Sequence, residues 1–207
     1  MSIYIPDPVV KRLPMYYRYL KEAERGKQLF ISSTELAQLT GLTASQVRQD
    51  VNAFQGEGRQ GCGYPVTELK EHIERILGIC KRQNMIIVGS GNLGRALFRH
   101  KEFAERGFIT IGLFDSHIGI AAQSKNLPVR NIAELEKFTS EHRVDIAILT
   151  LPAFDTQVMA ERLYRCGIRG FWNFAPLDVH LPKNAAVVNV HLDESLELLS
   201  YRLKHPK

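Results

Sequence analysis

The stretch Met85-Ile86-Ile87-Val88-Gly89-Ser90-Gly91-Asn92-Leu93-Gly94 decides how this chain is read. An apolar, largely β-branched run feeds straight into Gly89-x-Gly91-x-x-Gly94, which is the grammar of a buried strand entering a dinucleotide turn. Gly89 permits the tight turn, Gly91 lets the backbone approach a pyrophosphate, and Gly94 lets the following helix pack closely on the strand. The start of that helix offers unpaired N–H groups and the positive end of its dipole to phosphates. A bare triplet of glycines is weak evidence. Here the helix-forming run Arg95-Ala96-Leu97-Phe98 follows it, and the next apolar run, residues 109–114, closes on Asp115. That acid lies about twenty residues past the loop, where a ribose 2′-hydroxyl is expected.

Outward from this point the chain alternates strand and helix. Strands are expected at 85–88, 109–114, 145–149, 171–173 and 186–190, and helices near 93–106, 132–140, 155–166 and 193–203. Such alternation makes an α/β domain, a doubly wound parallel sheet with helices on both faces. The polar stretch 78–84 divides it from a first part with a different pattern.

That first part reads as short helices. Apolar residues Val9, Leu13, Tyr16, Tyr17 and Leu20 recur at helical spacing, with Pro14 kinking or dividing the segment. Ser32 stands three residues before Glu35, the capping-box spacing, and Gly41 ends that helix. Thr43 repeats the cap before Val47, Val51 and Phe54. Helix, glycine turn and capped second helix describe a helix-turn-helix, whose second helix enters a major groove. Ser45, Gln46, Arg48, Gln49 and Asn52 would form its outer face, and these types bond phosphates and base edges. On these residues alone, a solvated face of a small helical bundle stays open. The glycine-rich run 55–64 then suits a β-hairpin or wing carrying Arg59, with Pro65 closing it and Thr67 capping a helix over 68–77.

Bulk properties exclude little beyond membranes and disulfide scaffolds. The chain has 207 residues, 44% hydrophobic and 24% charged, ordinary for a globular protein. The sequence carries neither a signal-peptide pattern nor a run able to span a bilayer. Cys62, Cys80 and Cys166 are scattered and odd in number, which fits a reduced cytoplasmic chain and argues against a zinc site, so no metal is expected. The net charge of +5 permits a nucleic-acid partner without demanding one. Residues 1–80 hold ten Lys+Arg against nine Asp+Glu, so charge does not single out a DNA-binding half.

Taken together, these motifs resemble the Rex family of redox-sensing transcriptional repressors, nearly end to end. Lys11-Arg12-Leu13-Pro14-Met15-Tyr16-Tyr17 is similar to that family's opening helix. Val47-Arg48-Gln49-Asp50, Phe54, Gly58-Arg59, Gly61 and Gly63-Tyr64 are similar to its recognition helix and wing. Ala147-Ile148-Leu149-Thr150-Leu151-Pro152-Ala153, Asn173-Phe174-Ala175-Pro176 and His191-Leu192-Asp193 resemble its cofactor domain and C-terminal end. The resemblance implies a winged-helix domain over 1–80, a Rossmann-like NAD(H)-binding domain over 84–191, and a C-terminal helix over 192–207 exchanged between subunits. It implies a cytoplasmic homodimer, not an enzyme, that holds double-stranded operator DNA with NAD⁺ and releases it with NADH. By position, Arg48 and Arg59 would contact DNA. Gly89, Ser90, Gly91, Asn92, Leu93 and Gly94 would hold the pyrophosphate, and Asp115 the adenosine ribose. Thr150, Leu151, Pro152 and the segment Asn173, Phe174, Ala175 and Pro176 would line the nicotinamide end. Arg12, His100 and Asp193 would form an interdomain switch.

Four positions depart from the family pattern. Gln55 stands where glycine is usual, Gln60 where the wing usually has a second cation, and Ala53 where a larger residue is common. His100 occupies a place on the first cofactor-domain helix where a tyrosine is expected. Two rival readings remain. An NAD-dependent oxidoreductase would need a proton relay beside the nicotinamide, for which His180 and His191 are the candidates. A CoA- or nucleotide-binding domain would leave the N-terminal helices unexplained.

Overall fold

The computed structural model describes residues 4–79, 81–117 and 128–205. Cys80 and the last two residues of the expected C-terminal segment 192–207 lie outside them. The chain divides into two compact units, Met1–Lys81 and Arg82–Lys207.

The first unit is helical. Pro14 does divide the opening segment: α1 (Asp7–Val10) ends before α2 (Leu13–Arg25), and the proline sits in the first turn of α2, where its missing N–H costs nothing. Helix α3 (Ser33–Thr40) begins with the reciprocal Ser32–Glu35 capping box and ends on Gly41 in the left-handed conformation, φ 72°. Helix α4 (Ala44–Ala53) is capped by Thr43, whose hydroxyl accepts from the Gln46 amide. Helix α5 (Val66–Leu77) follows. Leu13, Tyr16, Leu20, Leu36, Val47, Val51, Phe54, Val66 and Ile73 close a single core beneath them.

Two expectations about the wing need correction. Its strand partner comes from before the helix-turn-helix: β1 (Phe30–Ile31) pairs antiparallel with β2 (Tyr64–Pro65), while the hairpin itself is reduced to a bridge between Arg59 and Gly63. Gly63 is required there, because a Cβ would stand 2.5 Å from the carbonyl oxygen of Ile31. Thr67 does not cap α5, which starts one residue earlier; its hydroxyl donates instead to Glu24.

Gln55 adopts φ 57°, the left-handed region that favours glycine. The geometry after α4 demands it. The Gln55 N–H bonds the Asn52 carbonyl and the Gly56 N–H bonds that of Val51, the paired bonds of a Schellman cap. A side chain in this conformation costs free energy, so Gln55→Gly is expected to raise the stability of the first unit by about 0.5–1 kcal/mol. A urea midpoint that stays put or falls would contradict this.

The second unit is a six-stranded, wholly parallel sheet in the order β5-β4-β3-β6-β7-β8. Its strands are β3 (Gln83–Val88), β4 (Phe108–Asp115), β5 (Val129–Asn131), β6 (Ile146–Leu149), β7 (Gly170–Asn173) and β8 (Ala186–Asn189). Of these, β5 was not expected; three half-buried or exposed residues at an edge carry too weak an apolar signal. Alternate residues of β3 face opposite sides. Ile86 and Val88 join the core under α8 (Leu135–Glu141) and α9 (Ala153–Arg165), whereas Met85 and Ile87 join that under α6 (Asn92–Phe98) and α7 (Glu102–Glu105). The single helix expected over 93–106 is thus two. Its interruption at 99–101 lets Phe103 swing onto the sheet, edge-on to Trp172 at 5.7 Å. His100 consequently lies in the turn after α6 and not on a helix, exposed against the Phe103 ring.

The last helix, α10 (Leu192–Lys204), buries none of its residues against its own chain, and Leu192, Leu196, Leu198, Leu199, Tyr201 and Leu203 are all exposed. Among the described residues no helix is long and apolar enough to cross a membrane.

Candidate functional site

In the second unit, β3 and β6 are neighbours whose chain continuations lead to opposite sides of the sheet. At such a topological switch point the loops part and leave a crevice beyond the carboxyl ends of the strands. Four of the expected segments meet at this edge: the glycine turn after β3, Asp115 at the end of β4, Thr150 after β6, and Asn173 to Pro176 after β7.

Steric accounting separates the three glycines. A Cβ on Gly94 would lie 2.0 Å from the carbonyl oxygen of Gly89, and one on Gly89 (φ 107°) would lie 2.4 Å from that of Thr150. A Cβ on Gly91 would meet nothing within 4 Å. Two glycines therefore close the turn against its own backbone, and the third leaves bare backbone toward open space. This is the arrangement a pyrophosphate needs, so the residues present fit a dinucleotide.

Three side chains brace the turn, and of these only Arg95 was not among the expected site residues. Arg95 donates from Nε to the Ser90 carbonyl at 2.6 Å. Thr150 donates from Oγ1 to the carbonyls of Val88 and Gly89, so it shapes the glycine turn as well as bordering the crevice. Asp115 accepts from the Ser90 N–H at 2.6 Å and the His117 N–H at 2.9 Å. Burial pushes its carboxyl up, but these backbone bonds prevail and hold it below the usual range, so it is ionised at neutral pH. Each oxygen keeps a lone pair able to accept from a ribose hydroxyl.

Asn173 plays a different part from the one expected. It is fully buried, donates to the Leu177 carbonyl and to Asn189, and accepts from the Ala175 N–H. Its polar groups are all spent on folding the loop Phe174-Ala175-Pro176, and Asn189, absent from the expected set, completes the network by accepting from the Val179 N–H. Leu151 and Phe174 are half-buried and Pro152 and Pro176 exposed, apolar surface rimming the crevice.

In the first unit, Ser45, Arg48, Gln49 and Asn52 are exposed on one face of α4, opposite the buried Val47, Val51 and Phe54. Arg48 donates to the Ser33 hydroxyl at the start of α3, and Arg59 lies over the Phe30 ring and 3.1 Å from Glu68. Both guanidiniums stay largely exposed. Arg12 grips Asp50 with two bonds, of 2.6 and 2.7 Å, and Tyr16 and Gln46 add 2.7 and 2.8 Å to the same carboxylate. Asp50 is readable in hindsight, since it interrupts the apolar stripe Val47, Val51, Phe54 and a buried charge needs partners. Of the other expected switch residues, Asp193 is exposed in the first turn of α10.

His180 is exposed, while His191 sits 2.9 Å from Asp178, whose hydrogen bond raises the imidazole pKa. Among the described residues no cluster of His, Cys, Asp and Glu stands ready to hold a metal ion.

Comparison with known proteins finds relatives for both units. Residues 4–52 match the family described as putative DNA-binding protein N-terminus, and residues 80–177 match the CoA binding domain family. A redox-sensing transcriptional repressor Rex from a Thermoanaerobacter species is 43% identical over 196 residues, 94% of this chain and 88% of that protein. The Rex of Clostridium botulinum is 42% identical over 198 residues, 94% of this chain and 93% of that protein. The crystal structure of RSP in complex with beta-NAD+ and operator DNA matches with a TM-score of 0.90 at 41% identity, covering 98% of this chain and 94% of that one. RSP in complex with beta-NADH matches with a TM-score of 0.86 at 39% identity, covering 98% and 96%.

Proposed function

The chain belongs to the Rex family of redox-sensing transcriptional repressors, and we propose on that footing how its two sites divide the work. The second unit takes up NAD(H) at the switch point; the first binds operator DNA through α4 and the wing. The chain is a sensor and not an enzyme. The likeness that carries this reading is the match along nearly the whole chain to one repressor crystallised with NAD⁺ and operator DNA and again with NADH.

In the pocket, Gly89 to Gly94 receive the pyrophosphate and Asp115 accepts from the adenosine ribose. NAD⁺ and NADH differ at the nicotinamide, cationic and planar in one, neutral and puckered in the other. Leu151, Pro152 and Phe174 to Pro176 offer apolar surface that favours the neutral ring, and the Asn173–Asn189 network holds that surface in place. Sensing requires only that the two protein arrangements bind the ligands unequally. A few kcal/mol of difference suffices to shift the population.

We further propose a cytoplasmic homodimer in which α10 is exchanged between subunits. An apolar helix that buries nothing against its own chain is unstable in water, and a partner subunit is the occupant the family resemblance implies. Two recognition helices on a dimer must meet half-sites about one helical turn apart, so a small rotation ends tight binding. Arg12, His100 and Asp193 are assigned to that coupling, with Arg12 acting through its bond to Asp50.

The test is a titration of NADH, and separately NAD⁺, into the protein bound to labelled promoter fragments. Release by NADH alone is expected, with no hydride transfer to alcohols or hydroxy acids. Equal operator affinity under saturating NADH and NAD⁺ overturns the reading. Arg59→Ala is expected to weaken binding to all duplexes alike and to lower the slope of log affinity against log salt by about one. An unchanged slope would mean that Arg59 meets no phosphate.

A further inference from the structure

Two peptide planes lie between Gly89 and Gly91, and their ends are tied unequally. In the Gly89–Ser90 peptide the carbonyl accepts from Oγ1 of Thr150 at 2.9 Å, and the N–H donates to Oδ2 of Asp115 at 2.6 Å. Both of its polar ends are committed. In the Ser90–Gly91 peptide the carbonyl accepts from Nε of Arg95 at 2.6 Å, whereas the Gly91 N–H has no acceptor among the described residues. A trans peptide points its two polar ends in opposite directions. With the carbonyl held by Arg95, the Gly91 N–H is therefore directed away from that guanidinium.

The residue on which this grip acts is the one least able to hold itself. Gly91 sits at φ −64°, ψ −174°, ordinary backbone that requires no glycine for its own sake. Glycine keeps the approach open there, since nothing lies within 4 Å of where a Cβ would stand. The same missing Cβ widens the accessible range of φ, so local sterics alone leave the Ser90–Gly91 plane free to turn. A donor that wanders binds an anion poorly, because ordering it on binding costs affinity.

We infer that Arg95 is a positioning residue: through Nε it locks the Ser90–Gly91 peptide, so that the Gly91 N–H is aimed for the dinucleotide pyrophosphate before the ligand arrives. The inference rests on the dinucleotide reading above and adds to it a side chain outside the glycine motif. It makes the Nε–H the working group and not the positive charge.

Three variants of the full-length protein separate donor from charge. Arg95→Gln places an amide nitrogen the same number of bonds from Cα as Nε and removes the charge. Arg95→Lys keeps the charge and puts a carbon at that point, and Arg95→Ala removes both. Calorimetry with NADH is expected to find Arg95→Gln within about twofold of wild type, and Arg95→Lys and Arg95→Ala weaker by about tenfold, the worth of one hydrogen bond. A lysine variant that binds like wild type beside a weakened glutamine variant means that the charge meets the phosphates, and overturns the inference. Three variants that all match wild type, or are all equally weak, overturn it too. The ligand-free proteins give a second reading, since the residual dipolar coupling of the Gly91 N–H reports the direction of that bond. It should agree between wild type and Arg95→Gln and shrink in Arg95→Lys and Arg95→Ala, with the couplings of β3 unchanged as the sign of an intact sheet. A Gly91 coupling that Arg95→Ala leaves unmoved refutes the lock while leaving NADH binding intact. If wild type binds no NADH at all, the dinucleotide reading falls and takes this one with it.

Discussion

Gly94→Ala is expected to leave the protein bound to its operator at every NADH concentration. The added methyl would lie 2.0 Å from the Gly89 carbonyl oxygen, a backbone atom, and 2.8 Å from Oγ1 of Thr150. Neither can yield without opening the turn, because Gly89 is itself pinned by its N–H to the Phe114 carbonyl and by its approach to Thr150. Overpacking of this kind costs about 3 kcal/mol, and here the strain falls on the backbone that must meet the pyrophosphate. Dinucleotide affinity should drop by more than about a hundredfold, since that energy alone corresponds to such a factor. The first unit, with a separate core, should still bind DNA. Calorimetry with NADH and a shift assay on the same preparation check both halves. Retained NADH release would place the ligand elsewhere.

The other large effect concerns Asp50. Truncation to alanine strands the Arg12 guanidinium and the buried Tyr16 hydroxyl without their acceptor. Breaking a buried ion pair by removing one partner costs about 3 kcal/mol or more, enough to unfold much of a small unit. Burial acts to raise the Asp50 carboxyl, but the hydrogen bonds from Arg12, Tyr16 and Gln46, with the charge of Arg12, outweigh it and hold it below the ordinary value of 3.8. The unfolded chain therefore takes up this proton at higher pH than the folded one. The stabilisation is complete above about pH 4 and is lost as pH falls through the folded value. Acid titration of wild type should show the first unit melting before the second, and Asp50→Asn should blunt that difference. A first unit whose acid midpoint is unmoved by the substitution would contradict the role given to this carboxylate.

What could be read along the chain follows from how local the signal is. Caps need only their own residues: Ser32 with Glu35, Thr43 with Gln46, and Gly41 at a left-handed helix end lie within a single turn. The β-branched run ahead of Gly89 and the alternation beyond it likewise sufficed for a parallel sheet, because burial on both faces demands continuous apolar strands. The wing was half legible. Its glycines announced irregular backbone, but its true strand partner, Phe30–Ile31, lies before the helix-turn-helix and carries only two residues of pattern.

The sequence by itself determined the two-part architecture, the glycine turn and the helix-turn-helix, since each is specified by residues adjacent in the chain. Only the tertiary structure decided what the polar side chains at those sites do. Arg12 reaches Asp50 across 38 positions, Thr150 reaches Gly89 across 61, and Asn173 meets Asn189 across 16. A buried polar group must find a partner wherever packing brings one, and that choice is made in space, by desolvation, long after the order of residues has been written.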